Sequence, residues 1–350
     1  MSKKRVVIGL SGGVDSSLSA HLLKEEGHEV IALFMKNWDD MNDSGFCPAE
    51  EDQKDVIRIA TLLNIPYYTV NYAQKYREKV FDEFLDGLKK GLTPNPDLLC
   101  NREIKFKALL ETAESLGADF LATGHYCRRD ADGRLLKGLD PQKDQSYFLA
   151  QVPSLALKKA LFPVGDLCKP TVRERAKTAG LVTFDKKDST GICFIGNKNF
   201  KKFIQSYIPS TTGHFYDYIS KARIAPHEGA CFYTIGERAR ISGSDAPYFV
   251  AHKEGNDVFV VKGKDHPALF SRSLKASSPF WIHDPFDFSK PLKAKIRYRQ
   301  EDQECLVEKD NDGLKVTFKN PQRACTPGQY IVFYDGEICL GSSIIDCGIS

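Results

Sequence analysis

Two rhythms of apolar and polar residues divide this chain. Over about the first 200 positions, short apolar runs alternate with longer stretches whose apolar residues fall three and four apart, the spacing of amphipathic helices. Arg5–Leu10 and Glu29–Met35 read as strands, with a helix over Leu18–Glu26 between them. A second helix is expected over Ala49–Leu63, where acidic residues in the first turn suit the helix dipole, followed by a strand at Pro66–Asn71. Ala73–Lys90 and Lys105–Leu116 read as further helices, and Phe120–Gly124 as a further strand. Such a βαβ rhythm predicts a parallel sheet with helices on both faces. Beyond Ser206 the pattern shortens to β-like stretches at Ala230–Ile235, Tyr248–His252 and Val258–Lys262. From Leu274 onward, Ala294–Tyr298, Glu304–Glu308, Leu314–Phe318, Tyr330–Tyr334 and Ile338–Gly341 recur with turns such as Asp335-Gly336, the signature of a small β-barrel or sandwich. The expected organisation is an α/β domain over 1–205, a small central module over 206–273 and a C-terminal β-barrel over 274–350.

The junction between first strand and first helix carries the clearest chemistry. Ser11-Gly12-Gly13-Val14-Asp15-Ser16-Ser17 places two glycines and three hydroxyls where a strand turns into a helix. Glycines let successive N–H groups converge on one anion, and the helix start adds unpaired N–H groups and partial positive charge. The run lacks the lysine of a GxxxxGK[ST] loop. A plain glycine-rich βα turn is the alternative reading.

Composition narrows the class without deciding it. No run approaches the roughly 18 apolar residues of a membrane span, and Met1–Arg5 leads into the first strand without a signal-peptide core, so a cytosolic protein is expected. A net charge of +3 does not by itself call for nucleic acid, although Lys158-Lys159, Lys186-Lys187, Lys201-Lys202 and Arg297-Tyr298-Arg299 are local basic clusters. An Arg-Tyr-Arg alternation on a strand would turn both guanidiniums to one face, toward phosphate. The ten cysteines form no C-x-x-C pair, which disfavours a zinc ribbon. Two lie in distinctive settings. Cys100 follows the Pro-stiffened Thr93-Pro94-Asn95-Pro96-Asp97 loop, close enough to share a cavity with Asp97 if the turn is helical. Cys193 sits between glycines in Asp188–Gly196, downstream of Lys186 and Lys187, which would favour its thiolate if they fold nearby.

SGGVDSS (11–17) resembles the pyrophosphate-binding loop of the ATP pyrophosphatases, whose fold is the adenine nucleotide alpha hydrolase-like parallel sheet. With NPDLLCN (95–101), ATGHY (122–126), KDQSYFL (143–149), STGICFIG (189–196), KIRYR (295–299) and TPGQYIVFYDGEICLG (326–341), the whole chain resembles the bacterial tRNA-specific 2-thiouridylases. That resemblance implies replacement of the C2 oxygen of the wobble uridine, U34, by sulfur after ATP-dependent adenylation of that oxygen. ATP would occupy Gly9, Leu10, Ser11, Gly12, Gly13, Val14, Asp15 and Ser16, with adenine near Met35 and Gly124; Mg2+ would ride on the phosphates rather than in a protein cage. Cys193 would carry a persulfide, Cys100 would be the partner thiol and Asp97 the general acid or base. Whether the persulfide attacks C2 directly or releases hydrosulfide is open; both routes end in a Cys100–Cys193 disulfide. Asn95, Pro96 and Asp97 would surround the base, while His125, Lys143, Asp144, Gln145, Arg297, Tyr298, Arg299 and Gln329 would contact the tRNA. The implied partners are tRNA anticodon loops (Lys, Glu and Gln acceptors) and a sulfur donor, either a relay protein or a cysteine desulfurase. One departure stands out: Thr234–Ile241 carries Glu237 where the family usually has Gln, and Ala239-Arg240 in place of a glycine-rich continuation. Another ATP pyrophosphatase, such as a GMP synthetase-like or lysidine synthetase-like enzyme, and a non-enzymatic nucleotide- or tRNA-binding protein are the rival readings.

Overall fold

The computed structural model describes residues 3–38, 48–188, 200–283, 287–311 and 313–349. The chain divides into two compact units, one made of Met1–Phe81, Pro96–Asn197 and Glu337–Leu340, the other of Asp82–Asn95, Lys198–Gly336 and Gly341–Ser350.

The first unit is built on a five-stranded sheet. Strand β1 (Arg5–Gly9) leads into helix α1 (Val14–Glu25), followed by β2 (Glu29–Lys36), helix α2 (Pro48–Leu63), β3 (Tyr67–Asn71) and, much later, β4 (Phe120–Ala122). The strand order is β3–β2–β1–β4 and then Ala160–Leu161, all paired parallel. Val6, Val7 and Ile8 are wholly buried, as expected of a parallel strand covered on both faces. On one face Val6, Ile8 and Leu10 pack with Leu18 of α1 and Val56 and Ile59 of α2. Because β2 and β3 lie to one side of β1 while β4 lies to the other, the direction of winding reverses between β1 and β4. Open α/β sheets bind ligands in the crevice beyond the strand ends at that reversal.

Two helical stretches differ from the regular helices expected. Arg77–Phe81 is π-helical, as is Cys100–Leu109, where Phe106 departs to φ −97° and ψ 15°. The second helical run begins at Pro96–Leu99, upstream of the expected Lys105. Proline suits a first turn because its missing N–H would have no partner there. π-Helical turns widen the helix and recur at functional sites.

The second unit holds two β-structures. Arg238–Ala239, Tyr248–Glu254, Asp257–Lys262, Gly213–Asp217 and Arg223–His227 form a sheet in that order, over a core that includes Phe215, Val250, Val258 and Val260. Ala230–Phe232 is a 3-10 turn rather than the start of a strand. Phe270–Trp281, Gly313–Arg323, Gln303–Asp310, Leu292–Lys295, Tyr330–Asp335 and Ile338–Ile349 pair in that order, and the last strand closes on the first to make a six-stranded barrel. Residues 337–340 of that last strand belong with the first unit, where Ile338 pairs with Leu136 and the Lys137 N–H bonds to the Glu337 carbonyl. No helix among the described residues is long and apolar enough to cross a membrane.

Candidate active site

The glycine loop lies at the winding reversal. Gly12 has φ +75°, and a β-carbon there would fall 2.7 Å from the Asp52 carbonyl oxygen, so this position demands glycine on both counts. Gly13 caps α1 in extended geometry, and its carbonyl accepts from the Ser17 N–H at 3.1 Å, Ser16 Oγ at 3.1 Å and Ser17 Oγ at 2.8 Å. Ser17 is completely buried, so its hydroxyl braces the loop instead of facing a ligand. Ser11 is exposed, and its Oγ meets Ser16 Oγ at 3.1 Å. From β4, Gly124 lies against α1 so closely that a β-carbon would sit 2.7 Å from Ser16 N. Met35 lies near the carboxyl end of β2, paired with Val70 of β3. Gly9, Leu10, Val14 and Ser16 complete the strand end, loop and helix start, and Leu10 N–H bonds to Leu33 O at 2.9 Å.

Asp15 anchors a charged network. Its Oδ1 accepts from the Tyr126 hydroxyl at 2.6 Å, and Lys169 Nζ bonds both its oxygens at 2.7 and 2.9 Å. Burial, then the Asp15 charge, push the Tyr126 phenol far above its usual range and keep it a proton donor. Lys169 also bonds Asp188 Oδ1 at 2.8 Å, Arg173 reaches that oxygen at 3.0 Å, and Lys143 bonds Asp188 Oδ2 at 2.5 Å. Burial would raise the Asp188 carboxyl, but bonds from Lys143 and Lys169 outweigh it and hold the group at about 2.

Asp97 lies on the Pro96–Leu99 helix, and burial raises its carboxyl above the usual range while the Lys105 charge partly opposes this. Lys105 Nζ lies 3.4 Å from His125 Nε2, and Thr123 Oγ1 lies 2.8 Å from His125 Nδ1. Burial, reinforced by Lys105, drives the imidazole well below its ordinary range, so it stays neutral. Phe106 and Phe162 flank the ring. Cys100, the first residue of the π-helical stretch, is buried. The structure thus joins Asp97, Lys105 and His125 into one electrostatic group. Cys193 lies outside the described residues, and Lys186 pairs with Asp52 and Asp55 at 2.8 and 2.7 Å.

Lys143 is partly exposed, while its two neighbours serve the backbone. Buried Asp144 accepts from the Gly138 and Ser146 N–H groups at 3.0 and 3.1 Å. Gln145 accepts the Tyr126 N–H through its side chain and returns its own N–H to Tyr126 O, each at 2.9 Å. In the second unit, the Arg297–Arg299 segment corrects the expected alternation. The strand ends at Lys295 and the segment turns, with Arg299 at φ +65°. Both arginines are exposed; Arg299 stacks over the Tyr298 ring and Arg297 bonds Arg323 O at 3.0 Å. Gln329 Nε2 bonds Thr93 O at 2.6 Å and the Thr93 N–H bonds Pro327 O at 2.9 Å, bracing the stretch that ends at Asn95.

Comparison with known proteins adds the family. Residues 4–197 match the model described as "tRNA methyl transferase HUP domain", 201–262 the "tRNA methyl transferase PRC-barrel domain" and 271–345 the "Aminomethyltransferase beta-barrel domain". The chain is 50% identical over 359 residues to tRNA-specific 2-thiouridylase MnmA 1 of Geobacillus kaustophilus, covering 99% of this chain and 96% of that one. It is 51% identical to tRNA-specific 2-thiouridylase MnmA of Pseudomonas syringae, covering 98% of this chain and 94% of the relative. The chain belongs to the tRNA-specific 2-thiouridylase family.

For this 2-thiouridylase-family chain, sequence reasoning missed Lys169 and Arg173, and gave no role to Tyr126 of the ATGHY run or to Asp188 at the head of the Cys193 run. One signal was available: Lys169 opens the Lys169–Thr178 helix, where the dipole disfavours a cation, and it is nevertheless buried. The departure at Glu237 also has a local counterpart. Burial raises the Glu237 carboxyl, which feels the charges of Lys253 and Arg240, and burial lowers Lys253 to about 8. Lys253 Nζ bonds Tyr233 O at 2.8 Å, and Arg323 bonds the adjoining Gly236 carbonyl at 2.9 Å.

Proposed function

We propose that this protein is a tRNA-uridine 2-sulfurtransferase that converts the wobble uridine of tRNA to 2-thiouridine at the expense of ATP. The observation that carries the reading is the glycine loop at the β1–β4 reversal, in a unit that also holds the half-buried Asp97 and the buried Cys100. The loop N–H groups and the start of α1 would hold the triphosphate, with adenine toward Met35 and Gly124. Mg2+ would be carried on the phosphate oxygens rather than in a protein cage. It would supply charge neutralisation there.

The C2 oxygen of uridine is a very poor leaving group. Its attack on the α-phosphorus forms an O–P bond, breaks the α–β anhydride and releases pyrophosphate into the loop. Sulfur from a Cys193 persulfide then bonds C2, and AMP departs with the original oxygen. Oxidation of Cys100 and Cys193 to a disulfide supplies the two electrons that bring the transferred persulfide sulfur to the sulfide level, and an external reductant then resets the two thiols. The sulfur enters either by direct persulfide attack or as released hydrosulfide. Asp97, its carboxyl raised by burial, is suited to move a proton at the base. Neutral His125 offers hydrogen bonding without charge. Contacts to an anticodon loop would come from the Asn95–Asp97 stretch, His125, Lys143 and the exposed Arg297 and Arg299, with Asp144, Gln145 and Gln329 holding the backbones behind them. The sulfur donor would be a relay protein or a cysteine desulfurase. The family models are named for methyl transfer, another chemistry, for which a pyrophosphate-type loop has no use.

The test is nucleoside mass spectrometry on unmodified tRNA incubated with protein, ATP, Mg2+ and a persulfide donor. Oxygen-to-sulfur exchange at U34, requiring ATP and lost in Cys193→Ser and Cys100→Ser, is the expected result. Pyrophosphate release without sulfur incorporation would reject thiolation while keeping ATP chemistry.

A further inference from the structure

Asp188 joins two parts of the first unit that no motif connects. Its carboxylate takes Lys143 on one oxygen and Lys169 with Arg173 on the other, at 2.5, 2.8 and 3.0 Å. The Lys169 ammonium divides its donors between that carboxylate and both oxygens of Asp15 in the glycine loop. The backbone repeats the arrangement, for one residue holds both lysines. The Asp140 side chain accepts the Lys169 N–H at 2.9 Å, and the Asp140 carbonyl accepts the Lys143 N–H at 3.0 Å. With their main chains fixed on Asp140, the two lysines share one carboxylate at their tips. The charges alternate in sign from Lys143 through Asp188 and Lys169 to Asp15.

We propose that Asp188 is a positioning residue that links the tRNA contact at Lys143 to the ATP loop at Asp15 through the single ammonium of Lys169. The proposal rests on the reading above for the loop and for Lys143. A carboxylate shared among three cations holds each less tightly than it would hold one. When a tRNA phosphate draws Lys143 away, Asp188 tightens on Lys169 and Arg173, and the Lys169 ammonium shifts its bonding from Asp15 toward Asp188. Tip movements alone suffice, because the main chains stay on Asp140. Each ligand thereby alters the other's affinity by the same factor.

The test is calorimetric binding of α,β-methylene-ATP without tRNA to the full-length wild type, Lys143→Gln, Asp188→Asn and the double variant, with melting temperatures checked for each. Lys143→Gln is expected to weaken nucleotide binding by about fivefold or more in the Asp188 background and to have little effect in the Asp188→Asn background. Asp188→Glu, which keeps the charge, should retain the coupling, and Lys169→Gln should abolish it. An equal effect of Lys143→Gln in both backgrounds would mean simple through-space attraction and would overturn the link. Failure of the wild type to bind the analogue would overturn the ATP reading itself, and the link with it. If Asp188→Asn fails to fold, loss of coupling in Lys169→Gln decides the question, and its persistence there rejects the link.

Discussion

At the scale of single residues, space and protonation set the sharpest expectations. Gly124→Ala places a methyl group 2.7 Å from a backbone nitrogen of α1. It should cost about 1–3 kcal/mol, typical of overpacking, and weaken nucleotide binding as well, read by a melting curve and a binding isotherm. Asp97 makes the opposite trade. Its folded carboxyl titrates above the unfolded one, so between those values the native state binds more protons and stability falls as pH rises. Asp97→Asn should therefore melt above the wild type at neutral pH, with the gap closing toward pH 4, while thiolation is lost. A lower melting temperature at pH 7 would reject the buried-acid assignment. The glycine loop was legible in the sequence because its parts are consecutive, so two glycines and a helix start define the site locally. The network around Asp15 was not, since Lys169 and Asp188 reach it only through the tertiary fold.

At the scale of elements, periodicity read β1 and β2 well because their central residues are buried on both faces, whereas β3 is a largely exposed edge strand and the two-residue strand Ala160–Leu161 was too short to read. It failed where backbone hydrogen bonding overrode side-chain pattern. Arg297-Tyr298-Arg299 has the alternation of a strand, yet the Gln300 N–H bonds Arg297 O at 3.3 Å and the Gln300 side-chain oxygen accepts the Ile296 N–H at 2.8 Å, closing a turn there. Cys100–Leu109 is apolar at helical spacing, which cannot distinguish an α- from a π-helical turn. The central sheet carries its own pH signature. Lys253 is lowered from 10.5 to about 8, mainly by burial, with Cys231 and Glu237 opposing. The unfolded chain thus binds more protons between those values, and stability should rise with pH across that window. The cost of burying the charge below pH 8 is on the order of 3 kcal/mol. Lys253→Met should remove the rise, with a smaller net gain at pH 7 because Tyr233 O loses its donor. A melting temperature that is flat for the wild type from pH 8 to 10 would count against this.

At the scale of the whole molecule, the small net charge means that tRNA binding depends on where cations lie rather than how many there are. Many basic clusters are already paired: Lys159 with Glu114, Lys186 with Asp52 and Asp55, Lys201 with Glu228. Arg297 and Arg299 stay exposed. Arg297→Gln should lower the slope of log affinity against log salt by roughly 1, measured by filter binding over a salt series. An unchanged slope would remove Arg297 from the phosphate contacts. The path of the chain carries a different consequence. The first unit includes residues 337–340, whose Ile338 pairs with Leu136 and whose Glu337 meets Arg128 at 3.0 Å. During synthesis from the N-terminus, that edge at Leu136 stays unmatched until residues 337–340 have been made, about 200 residues later. A nascent chain stalled before residue 337 would expose an unpaired β-edge to chaperones and proteases, so that the first unit closes only after the ribosome has passed through most of the second.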